Sequence, residues 1–365
     1  MVSRQLLLGL ILVFVGCNGN SQNAFEGWEH LFQAKQHYIA YFISEEIEVD
    51  GIAGEQAWSK AAWTNEFADI EGYEKKKPDY STRVKMLWDN QNLYLLAELE
   101  EPHIWAYYKE HDKIVYHEND FEIFIDPDGD TREYFEIEIN AQNTVFDLFM
   151  TKPYRNAGIP LISWDVQNLK SAVEVDGTLN NPSDTDQKWT VEMAIPFRSL
   201  RLGVLTQAPQ IGTTWKINFS RVQWQTEIIN GNYVRKKDEN ENIIPENNWV
   251  WSPVGIVNMH YPERWGTLKF SKNESDRTND PVTFSGEMKA MDYIWLLYYL
   301  QHDFRKNNDR FAASLSRLSP HKKPDEVAEV LMEATKSQFN IQLTTKAGGI
   351  VTINQDGKIK KSDEK

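Results

Sequence analysis

The sequence predicts a mainly β protein, an antiparallel β-sandwich followed by a small C-terminal α+β tail. Short runs that alternate apolar and polar residues recur from residue 47 to residue 270, and such runs are typical of half-buried strands. Polar turn segments separate the runs at short intervals, which favours a sandwich. After residue 282 the apolar spacing becomes helical, so we expect a separate element there.

The clearest strand pair is a hairpin. Residues 83–88 alternate, residues 89–92 form a polar turn, and residues 93–99 return as the partner strand. In a later strand Glu122 alternates with Phe121 and Ile123, so one face of that strand should be charged. The further predicted strands of the sandwich are residues 121–125, 134–140, 144–149, 189–196 and 214–221.

The tail, residues 283–365, follows a polar linker at residues 271–282. Helical spacing predicts a long helix within residues 288–318, with Pro320 after its end. Asp325 and Glu326 would occupy the first turn of a second short helix at residues 325–335, before a small β-meander. We expect the tail to pack on the sandwich; binding of an envelope protein partner is the alternative.

The first residues predict export. Arg4 precedes an apolar run at residues 6–15, which is too short for a membrane-spanning helix of about 20 residues and fits a signal peptide. The segment FVGC at residues 14–17 resembles a bacterial lipobox, so residues 1–16 are the predicted signal peptide and Cys17 the predicted lipidation site. Residues 17–46 then form a tether and lead-in. The expected location is the bacterial cell envelope, anchored by lipid at the outer membrane.

Composition narrows the range of ligands. A net charge of −15 argues against nucleic acid, whose binding needs clustered Lys and Arg, and suits a neutral ligand. The chain holds 13 Trp, 15 Tyr and 17 Phe. Large aromatic side chains fill cores, and their faces also stack on sugar rings. Composition alone does not divide these two roles.

Several segments, in their order and spacing, resemble carbohydrate-binding modules of family 9. The matching segments are residues 49–58 (VDGIAGEQAW), 84–89 (VKMLWD) with Leu93 and Tyr94, 122–126 (EIFID), 189–196 (WTVEMAIP) and 259–266 (MHYPERWG). This resemblance implies a β-sandwich that binds oligo- or polysaccharides without cleaving them, in support of carbohydrate catabolism.

The resemblance also implies site residues. Family modules hold a terminal sugar between two aromatic side chains, and the first position falls on or near Tyr116. The second falls near Met259, with His260 beside it and Trp251 upstream; Met offers an apolar face but no aromatic platform. A carboxylate that accepts hydrogen bonds from sugar hydroxyls corresponds to Glu122, for which an ordinary solvent-facing carboxylate is the equal alternative. An arginine common in family sites corresponds to Glu138, a second departure.

Two more polar residues are candidates for sugar binding. Arg221 stands on a predicted strand and could donate to sugar hydroxyls, or it could form a structural ion pair. His260 is a polar residue in an otherwise apolar closing segment, where it could contact the ligand or fill a structural role.

The best metal candidate is the acidic turn that contains Asp126, Asp128 and Asp130. Clustered oxygens suit Ca²⁺, although the turn lacks the twelve-residue loop with a terminal Glu. A structural Ca²⁺ site and an acidic turn without metal are both open; no other cofactor is indicated.

Two alternative functions remain open. Paired carboxylates could hydrolyse glycans, but the sequence contains no nucleophile elbow, HExxH or phosphate loop. Met259 and His260 are residue types that bind haem iron, but they are adjacent, so on an extended strand they would point to opposite faces.

Overall fold

The computed structural model describes residues 24–200, 208–272, 286–318, 320 and 322–362. The predicted signal peptide, Cys17 and most of the predicted linker lie outside these ranges. Within them, no helix combines the length and the apolar character needed to cross a membrane.

Strands are the most frequent elements of the described residues, as the sequence predicts, and these residues also contain three α-helices. The strands are β1 (His37–Phe42), β2 (Ala68–Asp69), β3 (Thr82–Trp88), β4 (Asn92–Glu100), β5 (Asp120–Asp126), β6 (Tyr134–Asn140), β7 (Val145–Met150), β8 (Pro160–Leu161), β9 (Lys170–Asp176), β10 (Lys188–Pro196), β11 (Thr214–Gln223), β12 (Thr226–Ile229), β13 (Asn232–Arg235), β14 (Asn247–Val250), β15 (Gly266–Ser271), β16 (Val327–Ala334), β17 (Phe339–Thr345), β18 (Ile350–Asn354) and β19 (Ile359–Ser362). The helices are α1 (Gln56–Lys60), α2 (Gly286–Asn308) and α3 (Leu315–Leu318).

The sandwich is one curled sheet of 13 strands whose two halves face each other. The hydrogen-bonded order is β8-β7-β6-β5-β11-β15-β1-β3-β4-β10-β9. In addition, β14 pairs with β11, and β2 pairs with β14. The two halves share one apolar core, in which Val84 and Leu95 from one half meet Ile123 and Phe219 from the other. The predicted mainly β sandwich and the predicted β3–β4 hairpin are confirmed.

Strand β1 joins the two halves. It pairs in parallel with β15 along most of its length and with β3 at Tyr41 and Phe42. The other pairings among the described strands are antiparallel. It lies in the range that the sequence analysis gave to the lead-in. Its sequence, HYIAYF, lacks the apolar–polar alternation that predicts a strand; pairing with two distant strands forms it.

A buried carboxylate connects the first family-like segment, residues 49–58, to the later segment at residues 189–196. Glu192 on β10 accepts hydrogen bonds from Trp58 Nε1 at 2.8 Å and from the backbone N–H groups of Asp50 and Gly51 at 3.0 Å each. Gly51 has φ +89°, and a Cβ there would lie 2.9 Å from the backbone nitrogen of Glu174. The turn therefore requires glycine, and Glu192 attaches it to the sheet.

The tail packs on the sandwich through α2. Helix α2 covers the four-stranded sheet β16-β17-β18-β19, and its buried residues Trp295 and Tyr298 reach Arg155, which follows β7. About one turn before Trp295, Asp292 forms ion pairs with Lys35 at 2.8 Å and with Arg264 at 3.0 Å.

The predicted second helix at residues 325–335 is wrong. Residues Val327–Ala334 form strand β16, which pairs antiparallel with β17. Its Ala, Glu, Leu and Met residues favour a helix locally, but ladder hydrogen bonds and burial of Val327 against the tail core decide the structure. Tertiary pairing overrides local propensity here.

Candidate functional site

A group of carboxylates lies on the face of β5, β6 and β11 that points away from the shared core. Alternation along β5 turns Phe121 and Ile123 into the core and Glu122 to the opposite face. Cross-strand pairing places Glu122 beside Glu138 of β6 on one side and beside Ser220 of β11 on the other. This face also carries Asp120 and Glu136.

The four carboxylates are deeply recessed. Asp120 is 0%, Glu138 2%, Glu136 5% and Glu122 6% exposed. One carboxylate oxygen from each of Asp120, Glu122 and Glu138 lies within 4.8 Å of the other two. We call these three residues, together with Glu136, the acidic floor.

Burial and mutual repulsion both disfavour negative charge on the acidic floor. Burial raises the pKa of Glu136 to about 8, and the charge of Glu122 adds to this effect. Burial likewise raises the pKa of Glu122 to about 7. The pKa values of Asp120 and Glu138 rise well above their ordinary range, first through burial and then through the neighbouring carboxylates.

Two exposed tyrosines lie near the acidic floor. Tyr116 is 40% and Tyr154 is 44% exposed. Partial burial and then Glu138 raise the pKa of Tyr116. Partial burial, followed by Glu136 and Glu138, raises the pKa of Tyr154 to about 12, and Tyr116 adds to this effect. The same carboxylates thus act on both hydroxyl groups, which indicates that both tyrosines lie near the acidic floor.

The segment between β14 and β15 forms one edge of the site. His260 bonds through Nδ1 to the hydroxyl of Tyr134 at 2.8 Å, and its Nε2 lies 3.8 Å from Glu136 Oε2. Its ring meets the ring of Tyr154 edge-on, with centroids 4.5 Å apart. Met259 is buried in an apolar cluster with Trp265. Both ring nitrogens of His260 face protein groups. Met259 and His260 therefore do not offer an accessible pair of haem ligands.

Arg155 fixes the backbone of this segment. Its guanidinium donates to the carbonyl oxygen of His260 at 3.2 Å and to Glu263 Oε2 at 2.8 Å. The same group lies 4.3 Å from the ring centroid of Tyr261. Because Arg155 also contacts Trp295 of α2, the tail helps to hold the site edge.

The structure therefore brings together Tyr116, Glu122, Glu138, Met259 and His260, but not Arg221 and Trp251. Arg221 is 1% exposed and forms a 3.0 Å ion pair with Glu101. Trp251 is buried in the shared core.

The positions of these two residues have a local cause. Arg221 continues the row of Trp215, Ile217 and Phe219 along β11, and this row faces the core. Trp251 has the same parity as the core residue Trp249.

The predicted metal turn keeps its three aspartates together. Asp126, Asp128 and Asp130 each offer an oxygen within 4.8 Å of the others. Asp126 also accepts backbone hydrogen bonds from Gly129 at 2.8 Å and Thr131 at 2.9 Å, as an acidic turn without metal would do. A Ca²⁺ site here stays a prediction.

Sequence reasoning missed Tyr154, Glu136 and Asp120. Glu136 and Asp120 could have been found, because each stands two residues from a predicted site residue on the same strand face. Tyr154 gives no such signal: it lies in a short turn after β7, and only the tertiary fold brings it to His260.

The arrangement suits binding better than bond cleavage. Glycoside hydrolases place two carboxyl groups on either side of the scissile bond, whereas Asp120, Glu122 and Glu138 lie side by side at the bottom of the site. Carboxyl oxygens near exposed aromatic rings can offer hydrogen bonds and apolar faces to the same ligand.

The fold and this face define a β-sandwich binding module. The chain belongs to the family described as carbohydrate family 9 binding domain-like, whose model matches residues 49–273, more than half of the chain. A search of curated proteins finds no match.

Three solved structures are similar to this chain. A candidate carbohydrate-binding protein from Bacteroides uniformis has 15% identity and a TM-score of 0.48, covering 65% of this chain and all of its own. A family 9 module from Caldicellulosiruptor kristjanssonii was solved with glucose (16% identity, TM-score 0.41, 65% of this chain and 97% of its own). The same organism's module was solved with cellotriose (15% identity, TM-score 0.41, 67% and 97%).

Proposed function

We propose that this protein binds an oligo- or polysaccharide at the acidic floor, with Tyr116 and Tyr154 as the two aromatic contacts. The carrying observation is that two exposed tyrosines lie near a group of buried carboxylates that share one sheet face. Sugar hydroxyls can hydrogen-bond to the carboxyl groups, while the C–H faces of the ring pack on the tyrosines. Membership of family 9 supports the same ligand class.

Tyr154 takes the role that the sequence comparison gave to the position near Met259. Met259 is 7% exposed and packs inside the apolar cluster, so little of it can meet a ligand. Tyr154 is exposed, and contact with His260 supports its ring. The second aromatic contact has thus moved from the closing segment to the turn after β7.

Replacement of Tyr154 by Ala should weaken carbohydrate binding about tenfold, because one aromatic contact is worth about 1.4 kcal/mol. Calorimetry with the soluble chain from Asn23 onward would measure this, using oligosaccharides first selected on a glycan array. Tyr116→Ala should have a similar effect.

Tyr73 provides the matched control. It is 49% exposed and lies away from the acidic floor, beside Gln36, so Tyr73→Ala should leave affinity unchanged. Binding that survives in both Tyr154→Ala and Tyr116→Ala, or the absence of binding to any glycan on the array, would rule out the proposed site. Sugar release from a bound polysaccharide would instead indicate hydrolysis.

We further propose that a lipid at Cys17 anchors the module in the envelope, where it would support carbohydrate catabolism. The apolar run and the lipobox-like segment before Cys17 support this. In a bacterial host that lipidates such signals, Cys17→Ser should move the protein from the membrane fraction to the soluble fraction. Equal membrane association of both forms would contradict the anchor.

A further inference from the structure

The acidic floor differs from the other buried carboxylates of this protein. Glu118 accepts hydrogen bonds from the backbone of Tyr107 and Tyr108 and from Asn140. Glu101 is paired with Arg221, and Glu192 has the three donors described above. The fold thus supplies donors to its isolated buried acids, as burial of polar groups requires.

The acidic floor has no comparable set of donors, since Glu136 and Glu138 interact with each other. Both carboxylate oxygens of Asp120 and Oε2 of Glu138 have no hydrogen-bond partner among the described residues, although both side chains are almost fully buried. The amide of Val222 favours the charged form of Asp120, but it makes no hydrogen bond of ordinary geometry to the carboxylate. Ser220 Oγ is also buried without a partner of ordinary geometry, although the hydroxyl favours the charged form of Glu122.

Positive charge is lacking as well. The charged groups that act most strongly on Asp120, Glu122 and Glu138 are other carboxylates. His260 lies 3.8 Å from Glu136, and burial and then Arg155 lower its pKa to about 4, so it adds no positive charge at neutral pH. Buried carboxylates are ordinarily paired or bound to a metal.

We propose that Asp120, Glu122 and Glu138 bind a Ca²⁺ ion at the bottom of the site. Their oxygens lie within 4.8 Å of one another, which is about twice a Ca²⁺–oxygen distance of 2.3–2.6 Å. The hydroxyl of Ser220, beside Glu122 on β11, is a further oxygen ligand of the right class. Three strands of one sheet hold these groups, so the site is rigid before the ion enters.

Ca²⁺ fits this arrangement better than Mg²⁺. Ca²⁺ accepts six to eight oxygen ligands in flexible geometry, whereas Mg²⁺ demands a tight octahedron at about 2.0–2.1 Å. Ligands spread over three strands cannot contract to the smaller ion without moving the backbone.

Calorimetry without any sugar tests the proposal. The soluble chain from Asn23 onward is stripped with a chelator and titrated with CaCl₂ at pH 8. We expect Ca²⁺ to bind to the wild-type protein and to raise its melting temperature. Glu138→Gln and Asp120→Asn should weaken binding at least tenfold and remove the corresponding thermal shift.

The variants also separate loss of a ligand from loss of the fold. Glu138→Gln removes a repelling buried charge, so its melting temperature without Ca²⁺ should equal or exceed that of the wild type. Asp128→Asn, in the separate acidic turn, should leave this Ca²⁺ response intact. No heat and no thermal shift in the wild type would overturn the proposal. So would loss of the response in Asp128→Asn with retention in Glu138→Gln.

Discussion

Arg155→Met should lower the free energy of unfolding by about 3–5 kcal/mol, because it leaves a buried carboxylate without its cation. The side chain of Glu263 is 1% exposed and pairs with Arg155 at 2.8 Å. Its remaining donor is the hydroxyl of Tyr299, which cannot neutralise it. Urea denaturation followed by tryptophan fluorescence would measure the loss. A change below about 1 kcal/mol would show that the ion pair carries little of the stability.

The same substitution should weaken carbohydrate binding, since Arg155 also holds the carbonyl oxygen of His260. A double variant, Arg155→Met with Glu263→Gln, separates the two effects. Removing both charges should recover much of the stability, but it cannot restore the bond to His260. Recovery of stability without recovery of affinity would assign Arg155 a positioning role in the site.

The protein should lose about 3 kcal/mol of stability through His260 as the pH falls from 7 to 4. Burial, and then Arg155, lower the pKa of His260 to about 4 in the folded state, against about 6.5 in the unfolded chain. Between these values the unfolded chain binds more protons, so acid favours unfolding. Above pH 6.5 both states are neutral at His260 and the effect is absent.

His260→Gln isolates this contribution, because glutamine can still bond to Tyr134 but does not titrate. Urea denaturation of both proteins at pH 7 and pH 4 gives the difference, in which the titration of groups common to both, such as Glu136, largely cancels. The variant should lose about 3 kcal/mol less than the wild type. Parallel losses in the two proteins would contradict a buried neutral His260.

Local patterns predicted those parts of the fold that depend on alternation within one strand. The charged face at Glu122 and the hairpin of β3 and β4 followed from periodicity of two. The same rule, applied to the row that ends at Arg221, would have placed that arginine on the core side. Its row of apolar neighbours, Trp215, Ile217 and Phe219, was the available signal.

Other features depend on contacts that no local pattern records. Tyr154 reaches His260 only because the turn after β7 and the segment before β15 meet in space. The residues of the helix predicted at 325–335 form strand β16 instead, because they pair with β17. Pairing between distant segments, rather than propensity, decides such positions.

The pairing of β1 with β15 has a consequence for the order of assembly. His37 lies opposite Thr267, so the first strand of the sandwich needs the last one as its neighbour. A ribosome delivers the chain from its N-terminus, and β1 must therefore wait until nearly the whole module has been made. Contacts so far apart in sequence slow folding, and shorter N-terminal fragments cannot close the sheet. The sheet of the module therefore closes only when both its first and its last strand are present.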